Sequence, residues 1–283
     1  MAELLKGLPV ANALTEALAV RVEKLKEKGV TPTLAILRVG ERPDDISYET
    51  GAMKRCDKVG IAVRQFLLDE ACTKEELLDT IRQINEDASI HGCLMFRPLP
   101  DRDMEEAACA LLAPEKDVDG MTSGSLATVF AGKGAGYPPC TAEGCIALLD
   151  HYGIDLQGKR VAVIGRSLVI GKPVSMMLQS RNATVTMCHT KTVNLAEVCR
   201  NAEILVVAAG KAGVVDESFT VPGQIVVDVG IHVNAEGKLC GDVDFASVEP
   251  VAAAITPVPG GVGSVTTAML AKHVVEAAEK TAE

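Results

Sequence analysis

The sequence predicts an α/β protein of two domains, in which helices cover parallel sheets. Three observations carry this expectation. The chain has 283 residues, about the length at which a single core stops growing and chains divide. Short apolar runs alternate with helical patterns along it. The alternation lapses once, over 114–139, and then resumes.

In the first stretch, Leu14, Leu18, Val22 and Leu25 recur at helical spacing over 12–28, and Gly29 ends that helix. The apolar run Thr33–Val39 is expected as a strand, followed by a helix over 47–59 and a second strand over 61–68. Thr73 and Glu76 stand at capping-box spacing and open a helix to residue 86. A third strand over 92–96 is stopped by Pro98 and Pro100, and a helix runs to Leu112. Residues 114–139 hold five glycines and three prolines, the chemistry of a linker or an active-site loop. Beyond it come a helix over 142–152, a buried strand Arg160–Ile164 and a helix over 172–181 with Pro173 in its first turn. Strands at 184–187, 204–208 and 225–229, a short helix at 195–201 and a last helix over 265–280 complete the pattern.

Composition narrows the function classes. With 48% hydrophobic residues the chain can build a large core, so disorder is excluded as an overall class. The 28 Lys and Arg against 38 Asp and Glu give a net charge of -10, a field that repels phosphate backbones. Three Tyr, five Phe and no Trp leave little for base stacking, so no nucleic-acid partner is expected. The nine cysteines are odd in number and never two residues apart, which suits reduced structural thiols and predicts no metal site. No signal-peptide core and no run of 18 apolar residues occurs, so a soluble cytoplasmic protein with no membrane partner is expected.

The segment Val161–Gly171 is a strand, a tight turn and a helix start. It reads G-x-S-x-x-x-G where the usual dinucleotide fingerprint reads G-x-G-x-x-G. Gly165 permits the turn, Ser167 offers a hydroxyl beside the helix N-terminus, and Gly171 allows close backbone approach to a pyrophosphate. An NAD enzyme places an acid about 20 to 25 residues on, to hold the ribose 2′-hydroxyl. Here that place reads Cys188-His189-Thr190-Lys191, with Arg166 in the turn, and this favours NADP.

Several segments together resemble the methylenetetrahydrofolate dehydrogenase/methenyltetrahydrofolate cyclohydrolase family, over nearly the whole chain. The most specific are Pro114–Gly120 (PEKDVDG), Pro139-Cys-Thr141, Gly165-Arg-Ser167, Asp228-Val-Gly-Ile231 and Ile255–Gly263 (ITPVPGGVG). The resemblance implies a folate-chemistry α/β domain over 1–120 and a Rossmann-type NAD(P)-binding domain over 121–263. The final helix, 264–283, is expected to pack back on the first. It also implies a homodimer acting on a tetrahydrofolate one-carbon substrate, with a cleft between the domains.

Carried over residue by residue, the resemblance makes Tyr48 and Asp119 the catalytic and pterin-contacting residues. Ile231, with Thr190 and the Gly165 turn, would contact the cofactor. Pro259, Gly260, Gly261, Val262 and Gly263 would line the substrate. Two departures stand out. The family lysine four residues after the tyrosine is Ala52, and the family glutamine before Pro-Leu-Pro is replaced, so that the segment starts Phe96-Arg97.

Lys54 is turned away from Tyr48, and Arg55 is on its face but about 10 Å further along the helix. Arg97 is expected on the opposite strand face from Phe96. The expected activity is NADP-dependent oxidation of 5,10-methylenetetrahydrofolate with a weak or absent cyclohydrolase. A full bifunctional enzyme and a non-catalytic folate- or nucleotide-binding protein are the alternatives.

Overall fold

The structure, a computed structural model, describes residues 1–282. The chain opens with β1 (Glu3–Leu4) and α1 (Gly7–Glu27), then β2 (Thr33–Val39), α2 (Pro43–Val59), β3 (Ala62–Leu68), α3 (Lys74–Glu86), β4 (Gly92–Met95) and α4 (Arg102–Leu111). It continues through α5 (Ser123–Ala131), α6 (Cys140–His151), β5 (Arg160–Ile164), α7 (Gly171–Ser180), β6 (Thr184–Cys188), α8 (Leu195–Arg200) and β7 (Ile204–Val207). The last part holds β8 (Ile225–Asp228), the pair β9 (His232–Val233) and β10 (Leu239–Cys240), α9 (Phe245–Val248), β11 (Ala254–Ile255) and α10 (Thr266–Thr281).

Two helices start earlier than their apolar spacing implies. The α2 helix begins at Pro43, whose fixed φ suits the first turn, with Asp44 and Asp45 at the positive end of the helix dipole. It stops at Gly60, which takes φ 88° and donates its N–H to Cys56 and Asp57. The α1 helix begins at Gly7, five residues before the expected start. The capping box at Thr73 and Glu76 is formed in both directions.

The stretch 114–139 is not all loop. Within it Thr122 accepts from the Ser125 N–H and opens α5, and Gly132 closes it at φ 68°. Four glycines within fourteen residues hid a helix that a single cap suffices to start.

The chain divides into two compact units. One comprises Asn12–Cys140 and the segment from Thr267 onward; the other comprises Met1–Ala11 and Thr141–Thr266. This differs from the expected 1–120 and 121–263 at two places. The first eleven residues join the later unit because Glu3–Leu4 pairs in parallel with Ala254–Ile255. Residues 121–140 stay with the earlier one.

In the earlier unit a three-stranded parallel sheet runs β3-β2-β4. Its central strand, β2, is buried at all seven positions, as expected for a strand covered on both faces. Even Arg38 is inside, its guanidinium 2.7 Å from Glu49 of α2.

The later unit is a six-stranded parallel sheet of order β1-β11-β8-β7-β5-β6. Its inner strands are near-continuous Val, Ile and Leu, which is why they were legible as strands. The short β11 and β1 were not, since two residues carry no period. None of the nine cysteines is disulfide-bonded. Among the described residues no helix is long and apolar enough to cross a membrane, and no cluster of His, Cys, Asp or Glu could hold a metal.

Candidate active site

The earlier unit gathers four of the sequence-predicted residues. Tyr48 and Ala52 stand one turn apart on α2, and Phe96 follows the end of β4. Tyr48 and Phe96 meet edge to face, with centroids 6.0 Å apart and planes at 81°. Ala52 is fully buried, and Phe96 is buried too. The position that would hold a lysine is thus apolar, and the aromatic residue in the glutamine's place packs on the tyrosine ring.

Asp119 lies in the turn between α4 and α5. The turn is tightly determined, because the Asp117 carboxylate accepts from the N–H groups of Met121 and Thr122. Gly120 takes φ 71°, where a Cβ would fall within 2.7 Å of the Pro138–Pro139 backbone. Burial pushes the Asp119 carboxyl up to about 6, and the charge of Asp117 adds to this. Arg97, the thiol of Cys140 and His273 act in the opposite sense. Burial first, and then the charge of Asp119, raise the Tyr48 hydroxyl well above its ordinary value.

Three expectations about nearby cations are refined. Lys54 is exposed. Arg55 does not serve the Tyr48 face, since its guanidinium donates to Thr15 over 2.6 Å and to Thr267 over 3.5 Å. Arg97 does not follow the strand alternation assumed for it, because β4 ends at Met95. It lies beyond the pleat, 3.7 Å from Glu105, with its charge felt by Asp119.

The later unit gathers the remaining residues at the carboxyl ends of its strands, the edge at which open α/β sheets bind ligands. Gly165 follows β5 with φ 129°, and a Cβ there would stand 2.1 Å from the Ala208 carbonyl oxygen. A Cβ on Gly171 would stand 2.2 Å from the Gly165 oxygen. The second glycine therefore lets the start of α7 close on the turn itself, a nearer reason for it than approach to a pyrophosphate. Ser167 Oγ accepts from Ile170 N over 3.1 Å and from Gly171 N over 3.5 Å, and the Ser167 carbonyl accepts from Lys172 N over 3.0 Å, so this residue organises the start of the ten-residue α7.

Arg166, Ser167, Thr190 and Lys191 are exposed around this turn, and no acid stands at the end of β6. His189 is not a free donor at Nδ1, which accepts from the Lys191 N–H over 3.1 Å. The cradle of glycines, the helix end and the cations fit a phosphorylated dinucleotide.

Ile231, 60% exposed, borders a cavity of about 150 Å³ with Asp228 and the loop Pro257–Ser264. Pro259, Gly260, Gly261, Val262 and Gly263 all line it. Asp228 is tied down by accepting from the N–H groups of Gly230, Asp242 and Val243, and burial raises its carboxyl to about 6.

Two residues escaped the sequence reading. Asp242, fully buried, accepts from the N–H groups of Ala209, Gly210 and Lys211, and His232 Nε2 stands 2.6 Å from it. Together they join the loop after β7 to the β9–β10 hairpin. The repeated Asp in Gly241-Asp-Val-Asp244 was the available signal.

Comparison with known proteins decides the family. Residues 5–119 match the catalytic domain of tetrahydrofolate dehydrogenase/cyclohydrolase, and residues 139–282 match its NAD(P)-binding domain. The chain belongs to the tetrahydrofolate dehydrogenase/cyclohydrolase family.

Among its relatives, the "Bifunctional protein FolD" of Clostridioides difficile (strain 630) is 50% identical over 97% of this chain and 96% of its own. The FolD methylenetetrahydrofolate dehydrogenase/cyclohydrolase structure from Campylobacter jejuni superposes with a TM-score of 0.96 at 38% identity, covering 99% of this chain and 100% of its own. The Trypanosoma brucei enzyme, solved with NADP cofactor and inhibitor, gives a TM-score of 0.91 at 33% identity over 99% and 98% of the two chains. Membership makes this chain an enzyme of tetrahydrofolate one-carbon chemistry with an NAD(P)-binding domain.

Proposed function

We propose that this enzyme oxidises 5,10-methylenetetrahydrofolate to the 5,10-methenyl form with NADP⁺ and that its cyclohydrolase step is weak or absent. The observation that carries the second half is the fully buried Ala52 one turn from Tyr48, with Phe96 packed against the tyrosine ring. Adding water to the methenyl carbon calls for a group that can give and take a proton near neutral pH. No lysine occupies that place, an arginine stays protonated, and Asp119, which burial raises to about 6, is engaged with the pterin N–H groups in this reading. Hydride removal needs no such base, because the nitrogens flanking the methylene carbon stabilise the cation that forms.

The chain's own residues divide the remaining work. Asp119 accepts from the amino and ring N–H groups of the pterin, and Tyr48 lies against the ring and orients it. The apolar wall of Ala52 and Phe96 keeps water from the reacting carbon. NADP⁺, when bound, supplies the hydride acceptor. The Gly165 turn and the start of α7 would hold the pyrophosphate, and Arg166, Thr190 and Lys191 would supply contacts to the ribose phosphate. Ile231 would face the nicotinamide, and the loop Pro259–Gly263 would line the substrate. The NADP found with the Trypanosoma brucei relative supports this cofactor. Homodimeric assembly and a cytoplasmic location belong to the same reading.

A second reading, the full bifunctional enzyme, is favoured by the naming of relatives such as that of Clostridioides difficile and by the positive charge of Arg97 acting on Asp119. NADPH absorbance on mixing the protein with methylenetetrahydrofolate and NADP⁺ tests the first step, and no signal would remove it. For the cofactor, Arg166→Ala is expected to raise KM for NADP⁺ about tenfold, the worth of one charge-assisted contact. KM for NAD⁺ is expected to stay within about twofold, since only NADP⁺ offers the 2′-phosphate. Equal changes in both would move the phosphate away from Arg166.

A further inference from the structure

We propose that His273, on α10, is a positioning residue for Asp119 that acts through the carbonyl of Val118. This rests on the reading of Asp119 as the pterin acceptor. The His273 imidazole is fully buried, and its Nδ1 stands 2.7 Å from the Val118 oxygen. A carbonyl only accepts, so Nδ1 carries the proton in this contact. Cys140 Sγ donates to the same oxygen over 3.2 Å. Both acceptor sites of one carbonyl are therefore used by side chains far apart in sequence.

The consequence follows from peptide geometry. The Val118 carbonyl and the Asp119 amide share one planar unit, so fixing the oxygen fixes the plane from which the Asp119 side chain departs. The rest of the turn is held by other means, namely the Asp117 carboxylate on Met121 and Thr122 and the close fit of Gly120. The imidazole is itself held in place. It lies 4.9 Å from the Tyr137 ring, whose hydroxyl accepts from Lys280, two turns further along α10, over 2.9 Å. His273 also favours the ionised form of Asp119. A buried polar side chain on an otherwise apolar helix face thus has a use that helix packing alone does not require.

The test uses the full chain and separates the donor from the bulk. Asparagine carries its side-chain nitrogen as many bonds from Cβ as histidine carries Nδ1, so His273→Asn keeps a donor where His273→Leu has none. His273→Leu is expected to raise KM for methylenetetrahydrofolate about tenfold, the loss of one buried hydrogen bond, with KM for NADP⁺ within about twofold. His273→Asn is expected to restore the folate KM to within about threefold of the unsubstituted protein. An unchanged folate KM in His273→Leu, beside a raised one in Asp119→Asn, would overturn the positioning role alone. So would equal impairment of the Leu and Asn variants, or a parallel rise in both KM values. An unchanged folate KM in Asp119→Asn would remove the reading of Asp119 and this role with it. Should His273→Leu fail to fold, His273→Gln gives the readout, because its amide nitrogen stands one bond further from Cβ than Nδ1 does. A folate KM raised about tenfold in His273→Gln beside a near-normal one in His273→Asn supports the role, and equal values overturn it.

Discussion

Asp119→Asn lowers kcat/KM for methylenetetrahydrofolate by roughly ten- to a hundredfold, the worth of a hydrogen bond to a charged acceptor. Asparagine keeps the volume but turns one acceptor oxygen into a donor, which then faces the N–H groups of the pterin. The unsubstituted protein should show the same loss on acidification. Burial holds the Asp119 carboxyl at about 6, above its ordinary value. It is therefore an acceptor-only anion above that pH and gains a proton, and a donor, below it. Folate KM is expected to climb as pH falls from 7 through 6, and this limb should be missing in Asp119→Asn. Steady-state kinetics at saturating NADP⁺ measure both effects. A variant with wild-type KM across that range would take Asp119 out of the pterin site.

The second large effect is a gain. Ala52→Lys combined with Phe96→Gln is expected to raise methenyltetrahydrofolate hydrolysis by about a hundredfold, the low end of what a positioned acid or base contributes. The two changes belong together. A lysine alone at this fully buried position would lack a polar partner, and a glutamine alone at 96 would leave a buried amide unsatisfied at a cost of about 1–3 kcal/mol. With both present, the amide oxygen accepts from the ammonium one turn beyond Tyr48. The decay of methenyl absorbance measures the gain. Unchanged decay in a folded double variant would count against the account of how this pocket was altered.

Much of this architecture was legible in the sequence, for identifiable reasons. The Val-, Ile- and Leu-rich strands β2, β5, β7 and β8 are buried on both faces and left unbroken apolar runs. Gly165 and Gly171 were legible because backbone stands within 2.2 Å of where each Cβ would be. Tyr48, Ala52 and Phe96 were found as a group because their segments resemble a known family.

What escaped depends on partners distant in the chain. The β1 strand exists only because Ala254–Ile255 lies beside it. The α5 helix depends on the cap at Thr122 more than on its composition. His273 and Asp242 are not legible as site residues in the sequence, because the backbone groups they hold lie 155 and 31–33 residues away. The direction of Arg97 is not legible from strand alternation, because β4 ends at Met95 and the pleat does not reach it.

A dehydrogenase that works without a cyclohydrolase leaves its methenyl product behind. Purified protein with methylenetetrahydrofolate and NADP⁺, followed at two wavelengths, one for NADPH and one for the methenyl product, reports this. Methenyltetrahydrofolate is expected to accumulate in nearly equal amount with NADPH and then to decay no faster than it does unaided. Methenyl product that is consumed much faster than its uncatalysed hydrolysis would contradict it, and would show that the buried Ala52 and Phe96 do not prevent the second reaction.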